Sequence, residues 1–317
     1  GSHELFYYND QKALIFLVQG NGCPIVRHAA TRFQELRDIY KDQEVEFFMI
    51  NSNLQDDRLT IREEAKEYNY DLRILVDDSQ IIGESLGLSR TGEVFVVNPK
   101  NWSVAYIGAI DDRLTYENQK EKASKHFLKD AINDLLENKS VSVPRTESLG
   151  CLINFPNKAN KQLISYADDV APILVENCTV CHREGGVGPW VMSDHKMVKG
   201  FSLMMREVIR TKRMPPWHAD PLIGEYSNDR SLNAEEVKTV VHWIEAGANR
   251  GDGPDPLKQV KLSKSVWANE EKLGPPDYVI EIPSTDVPAT GVVDYKYQYV
   301  KNSIAKDIWV KATEIVP

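Results

Sequence analysis

The chain has 317 residues, 42% of them hydrophobic, and a formal net charge of -9. That length exceeds what one small domain needs and gives each of two or three domains enough apolar material for a core. The acidic balance and the lack of any Lys/Arg-rich run exclude nucleic acid or an anionic membrane surface as the expected partner, and no apolar run reaches the length of a bilayer span.

Gly1-Ser2-His3 reads as a tag scar, so a signal peptide removed from ahead of it remains an open expectation. Leu14 to Gln19 is a continuous apolar run, the pattern of a strand buried on both faces. Gly20-Asn21-Gly22-Cys23-Pro24 follows and leads into a helix reaching about Tyr40. Val45 to Asn51 predicts a second buried strand, Asp57 to about Tyr68 a polar helix, Arg73 to Asp77 a short strand and Ile81 to Leu86 a helical turn. Glu93 to Asn98 and Ser103 to Ile110 alternate about an Asn98-Pro99-Lys100-Asn101 turn, as a β-hairpin does. Thr115 to Leu136 then carries a long amphipathic helix. This order predicts an α/β domain over residues 1–150 with a mixed sheet.

That order, with Cys23-Pro24 opening the first long helix within GNGCPIVRH (residues 20–28), resembles the thioredoxin and peroxiredoxin (redoxin) superfamily over about residues 4–138. A thiol at a helix N-terminus feels the positive end of the dipole, and Arg27 lies one turn on, so Cys23 is expected to favour the thiolate. Two departures weigh against general dithiol exchange. Gly20 and Val26 stand where a second Cys would be, and Thr91-Gly92-Glu93 stands where the family sets a cis-Pro. Cys151 is the remaining thiol of this kind. Cys23 and Cys151 are open to three readings: a peroxidatic and resolving pair, a structural disulfide, or two unrelated thiols.

Residues 151–166 are expected to be a linker and 167–260 a separate helical domain. Asp168 or Asp169 is the expected cap of a short helix delivering Cys178-Thr179-Val180-Cys181-His182, a CxxCH box. Two thiols at that spacing suit thioether attachment of one covalent haem c, with His182 as proximal iron ligand. A buried thiol pair or half a zinc site is the plainer alternative, but Cys23 and Cys151 stand singly and far upstream. His195 to about Arg213 predicts a second helix; Asn233, with Glu236 in a capping box, opens a third that Gly247 closes. Three helices around the box resemble a class I monohaem cytochrome c. Met214, on the stiff loop Arg213-Met214-Pro215-Pro216-Trp217, is the expected distal iron ligand. His218, His195, Met192 and Met197 compete for that role, while Met204, Met205 and His242 read as packing or surface residues. Trp190 and Trp217 suit either the haem edge or plain core.

Residues 261–317 alternate at period two over Tyr278 to Ile282, Val292 to Val300 and Asp307 to Ile315, and are expected as strands. They resemble the start of the β-sandwich of copper type II ascorbate-dependent monooxygenase-like proteins, some of which carry thioredoxin-like and cytochrome c domains ahead of it. No His, Met or Cys lies in this stretch, so copper is implied only for a domain further along such a protein.

The expected class is therefore multidomain: thioredoxin-like α/β, all-α cytochrome c, then a β segment. The leading expectation is one-electron transfer through haem c to a redox partner protein or downstream domain, in the periplasm because haem attachment follows export. A non-catalytic docking module and a thiol peroxidase or disulfide reductase using Cys23, with Cys151 resolving, are the alternatives.

Overall fold

The computed structural model describes residues 4–114, 120–156, 161–184, 186–216, 219–220, 223–227, 229–260, 270–286 and 296–315. Its first lobe is built on a five-stranded mixed sheet in the order β3-β2-β1-β4-β5. The strands are β1 (Ala13–Gln19), β2 (Val45–Asn51), β3 (Ile74–Val76), β4 (Val94–Asn98) and β5 (Ser103–Gly108). β1 pairs parallel with β2 and antiparallel with β4, so the central strand is covered on both edges.

Side chains alternate across a strand, and both sides of this sheet are dry. Ala13, Ile15, Leu17, Phe47, Met49, Val94 and Val96 lie in one cluster with α1 (Pro24–Tyr40) and α4 (Phe127–Leu136). Leu14, Phe16, Val18, Phe48, Ile50, Phe95 and Val97 lie in a second, with Leu88 and Ile153. Burial on both faces is why β1 reads as an apolar run and β2 as one interrupted only by the half-buried Glu46 before its polar end. Two shorter helices, α2 (Arg58–Glu67) and α3 (Ile81–Leu86), complete this lobe.

The long helix expected from Thr115 begins only at Phe127. Residues 115–119 lie outside the described residues, and Asp112 collects the stretch that follows: its carboxylate accepts from Lys120 Nζ at 2.7 Å, Ser124 N at 2.8 Å and Lys125 N at 2.9 Å. Those bonds hold residues 120–125 in a loop and delay the helix.

A second correction concerns Cys151 to Phe155, expected as linker. Thr91 N donates to Cys151 O at 2.9 Å and Ile153 N to Ser89 O at 3.0 Å, while Ile153 is buried and Phe155 packs on the sheet's second face. The first lobe therefore extends to Phe155.

The second lobe is helical. A single π turn, Tyr166–Val170, is capped by Ser165, whose side chain accepts from Asp168 N; the cap is Ser165, not Asp168 or Asp169. It leads into α5 (Ala171–Asn177), followed by α6 (His195–Gly200), α7 (Ser202–Arg210), α8 (Ala234–Glu245) and α9 (Pro256–Gln259). Phe201, neither helical nor extended, divides the expected helix from His195 into α6 and α7. Asn233 and Glu236 form the reciprocal capping box expected for α8. Val170, Leu174, Val198, Met205, Val240, Val241 and Trp243 form this lobe's core.

Beyond α10 (Glu270–Leu273), no strand forms among the described residues, and those at 278–282, 296–300 and 307–315 are exposed. The alternation that predicted strands there gives each segment one apolar face, but a strand also needs a neighbour to take its backbone hydrogen bonds, and no such backbone pairing occurs among the described residues. Among the described residues the expected β segment is thus not formed; residues 261–269, 287–295 and 316–317 of it fall outside the described set.

Polar groups join the two lobes. His242 Nε2 on α8 lies 2.8 Å from Glu84 Oε2 on α3, both side chains nearly fully buried. Lys161 Nζ reaches Glu84 at 3.2 Å and Glu245 at 2.9 Å, and the buried Lys238 donates to Gln80 Oε1 at 3.2 Å. Ile81 of α3 is part of the helical lobe's core. No helix among the described residues is long and apolar enough to cross a membrane.

Candidate redox-thiol site

Cys23 is the N-cap of α1, with Pro24 as its first residue, and is only 3% exposed. The loop ahead of it is pinned from α2 and β2. Glu64 accepts from Gly22 N at 3.1 Å, and Asp56 Oδ2 accepts from Asn21 N at 2.9 Å and Asn51 Nδ2 at 2.8 Å. Gly20 is held against Asn53 and Thr91, whose side-chain atoms would lie 2.4 Å and 2.6 Å from any Cβ there. A cysteine three residues before Cys23 would have to displace the Asn53 and Thr91 side chains.

The structure brings Cys151 to Cys23 across the fold, with their sulfurs 3.9 Å apart. Thr91 joins them: its hydroxyl donates to Cys23 Sγ at 3.1 Å and accepts from Cys151 N at 3.0 Å. Two glycines allow this approach. Gly150 has φ +148°, and a Cβ on it would stand 1.9 Å from Thr91 O; Gly92 has φ +76°, with Ile25 Cγ2 2.8 Å from the same imagined atom. Thr91, noticed in the sequence only as a departure from cis-Pro, is the residue that organises the site. No local pattern in the sequence marks that role, because its partner Cys23 lies 68 residues away.

The two thiols differ electrostatically. Burial pushes the Cys23 thiol up, but the Thr91 hydroxyl and the backbone groups of Val26, Cys151 and Ile25 outweigh it and hold the group below its ordinary value. Cys151 is raised, chiefly by the negative charge of Cys23 and then by burial. Arg27, expected to activate Cys23, is turned instead to Glu64, 3.4 Å away, and lies over the Tyr68 ring with its guanidinium carbon 4.0 Å from the centroid.

The CxxCH residues sit in the other lobe. Cys178 caps the C-terminus of α5, and Cys181 and His182 follow on a turn in which His182 N donates to Cys178 O at 3.0 Å. Burial pushes the Cys178 thiol up to about 12, and no cluster of three or more metal-ligating side chains occurs among the described residues. His182 Nδ1 is 3.1 Å from Trp190 O, an arrangement that leaves Nε2 available. Gly186 and Gly188 let the loop close on the box: a Cβ at either would stand within 2.8 Å of Cys181 O.

Met214 follows α7, with its N–H on Val208 O at 3.1 Å and its side chain 37% exposed. Among its competitors, His195 is committed elsewhere, Nε2 to Ala248 O at 2.9 Å and its ring against Tyr166 and Trp243. Met192 is buried in the helical core and Met197 is partly exposed. Trp190 stacks on Phe201 at 4.2 Å. Trp217 and His218 fall outside the described residues.

Residues 2–123 match the family model described as Redoxin. No curated protein matches the chain. Among solved structures, the chain is similar to an uncharacterized conserved protein from Geobacillus kaustophilus, at 24% identity over 45% of this chain and 77% of that one, with a TM-score of 0.41. It is also similar to a hypothetical protein from Sinorhizobium meliloti, at 26% identity over 47% of this chain and 82% of that one, TM-score 0.39. Peroxidoxin BcpB from Mycobacterium tuberculosis matches at 13% identity over 44% and 87%, TM-score 0.33. The first lobe, which holds the residues matched by the Redoxin model, is an α/β fold whose mixed sheet is flanked by helices.

Proposed function

We propose that the first lobe is a thiol peroxidase, with Cys23 as the attacking sulfur and Cys151 as the resolving one. This reverses the order expected from sequence, which put electron transfer first. The observation that carries it is the Thr91 hydroxyl set between the two, 3.1 Å from Cys23 Sγ and 3.0 Å from Cys151 N. A sulfur as buried as Cys23 is open to a small oxidant and closed to a folded protein disulfide, which favours peroxide over disulfide exchange.

In the first step the Cys23 thiolate attacks the terminal oxygen of a hydroperoxide. The O–O bond breaks, Cys23 becomes a sulfenic acid, and the alkoxide leaves and takes a proton from water. Cys151 then attacks the Cys23 sulfur as thiolate, forming a disulfide and releasing hydroxide, which combines with the thiol's proton as water. Sulfur atoms 3.9 Å apart must approach to about 2.05 Å, which side-chain rotation and a small loop shift supply. Cys151 is exposed, so an external dithiol reductant meets it first and restores both thiols. Peroxide consumption supported by dithiothreitol tests this. Cys23→Ser should abolish it, and Cys151→Ser should leave a sulfenic acid that dimedone traps; a Cys23→Ser protein with full turnover sinks the proposal.

The second lobe supports a second reading because of the His182 contact with Trp190 O. The donor set fits a covalent haem c: Cys178 and Cys181 would carry the thioether links, His182 would be the proximal ligand, and Met214 is the proposed distal one. When bound, that group supplies one-electron transfer to a redox partner. The chain's part is to fix the His182 tautomer through Trp190 O and to bring the backbone close through Gly186 and Gly188. Such attachment requires an exported protein, so a periplasmic home belongs to this reading.

A further inference from the structure

A cavity of about 390 Å³ opens beside α1, at the lower end of the size range of small-molecule sites. Ile25, Ala29 and Arg32 follow one another on the same face of the helix and form one wall; Ile110, Phe127 and Leu149 contribute to the others. From Ile25 to Arg32 the wall runs roughly 10 Å at 1.5 Å per residue. Most of it is apolar, and Arg32 stands at its far end.

Arg32 is in an unusual position for a buried cation. Its side chain is 10% exposed, and its Nε has no hydrogen-bond partner among the described residues. The nearest carboxylate oxygen, Asp111 Oδ1, is 3.8 Å away and already accepts from Arg113 N at 2.9 Å. The other Asp111 oxygen takes Arg113 Nε at 2.8 Å and its terminal nitrogen at 2.7 Å. Asp112 is bound to Lys120, Ser124 and Lys125, and Glu147, at the rim, is exposed. Among the described residues that line the cavity, the acidic side chains are thus engaged or solvated, while the buried Arg32 guanidinium is underused. Burial also lowers the Arg32 pKa, a sign that its charge is poorly compensated.

We propose that this cavity binds a small amphiphile, an apolar chain ending in one carboxylate, with the carboxylate seated on Arg32 and the chain lying along α1 toward Ile25 and Leu149. A planar guanidinium with a free edge suits a carboxylate, and a stem of helix side chains suits an alkyl body. The inference rests on the cavity and not on the thiol chemistry, so either stands if the other fails.

Isothermal titration of the full chain with decanoate, decanol and decylamine tests it. Decanoate should bind saturably at one site, with decanol and decylamine each at least about tenfold weaker, since a hydrogen bond to a charged group contributes roughly 1.5–3 kcal/mol. Arg32→Gln should bring decanoate down to the decanol level. Decanol or decylamine binding as tightly as decanoate, no saturable decanoate binding, or an Arg32→Gln protein that binds decanoate unchanged would each overturn the proposal. Should Arg32→Gln fail to fold by circular dichroism, the comparison of the three ligands on the unaltered protein decides alone.

Discussion

Thr91 donates its hydroxyl to Cys23 Sγ at 3.1 Å, across 68 residues of sequence, while the same oxygen accepts the Cys151 amide. One side chain thereby sets both the charge of the first thiol and the position of the second.

Replacing Thr91 with Val keeps the shape and removes the hydroxyl. A hydrogen bond to a charged acceptor contributes about 1.5 kcal/mol or more, so the apparent pKa of Cys23 should rise. Alkylation of Cys23 by iodoacetamide against pH, followed by mass spectrometry in a Cys151→Ser background, measures the shift. An unmoved titration would remove Thr91 from the site.

Gly150→Ala places a methyl group where Thr91 O now stands, at a backbone angle that side chains rarely adopt. The Cys151 segment must then move away from Thr91, at a cost of roughly 1–3 kcal/mol. Slower formation of the Cys23–Cys151 disulfide after a peroxide pulse, together with a lower Tm, is the expected result.

The junction between the lobes should respond to acid. Burial lowers the pKa of His242 more than Glu84 raises it, so the imidazole stays neutral in the folded protein at pH values where the unfolded chain, near pKa ~6.5, takes up a proton. Its contribution is complete above that pH and is lost as pH falls toward the depressed folded value. Urea midpoints from pH 8 to pH 5 should fall, and His242→Phe should flatten that part of the profile.

Expression in a host with haem-attachment machinery should add one haem's mass to the chain and give a Soret band; Cys178→Ala with Cys181→Ala should abolish both. Met214→Ala should remove the weak red-end band of sulfur-to-iron ligation. A loaded protein that keeps this band points to another sulfur, with Met192 the buried candidate.

Sequence patterns revealed elements whose causes are local. β2 and α3 fall where they were expected, because an apolar run bounded by polar residues and a short periodic stretch each carry their own signal. The helix at Phe127 was drawn too long because the bonds that Asp112 makes are not periodic. The exposed tail was misread for the opposite reason: its alternation is real, but pairing depends on a partner strand that alternation does not supply. Within the site, Cys23 was visible from Pro24 and the helix that follows. Its neighbour Cys151 lies 128 residues away and Glu84 is 158 from His242, and no spacing rule spans such distances. Both pairings come from how loops cross after the strands are laid down.

Cys151 and Ile153 lie beyond residue 123, where the redoxin match stops, yet they pair by backbone bonds with Thr91 and Ser89. A fragment trimmed at that limit would retain every strand of the sheet while losing the second sulfur. Its oxidised Cys23 would then have no internal means of escape, and would wait for a foreign thiol or proceed to irreversible overoxidation.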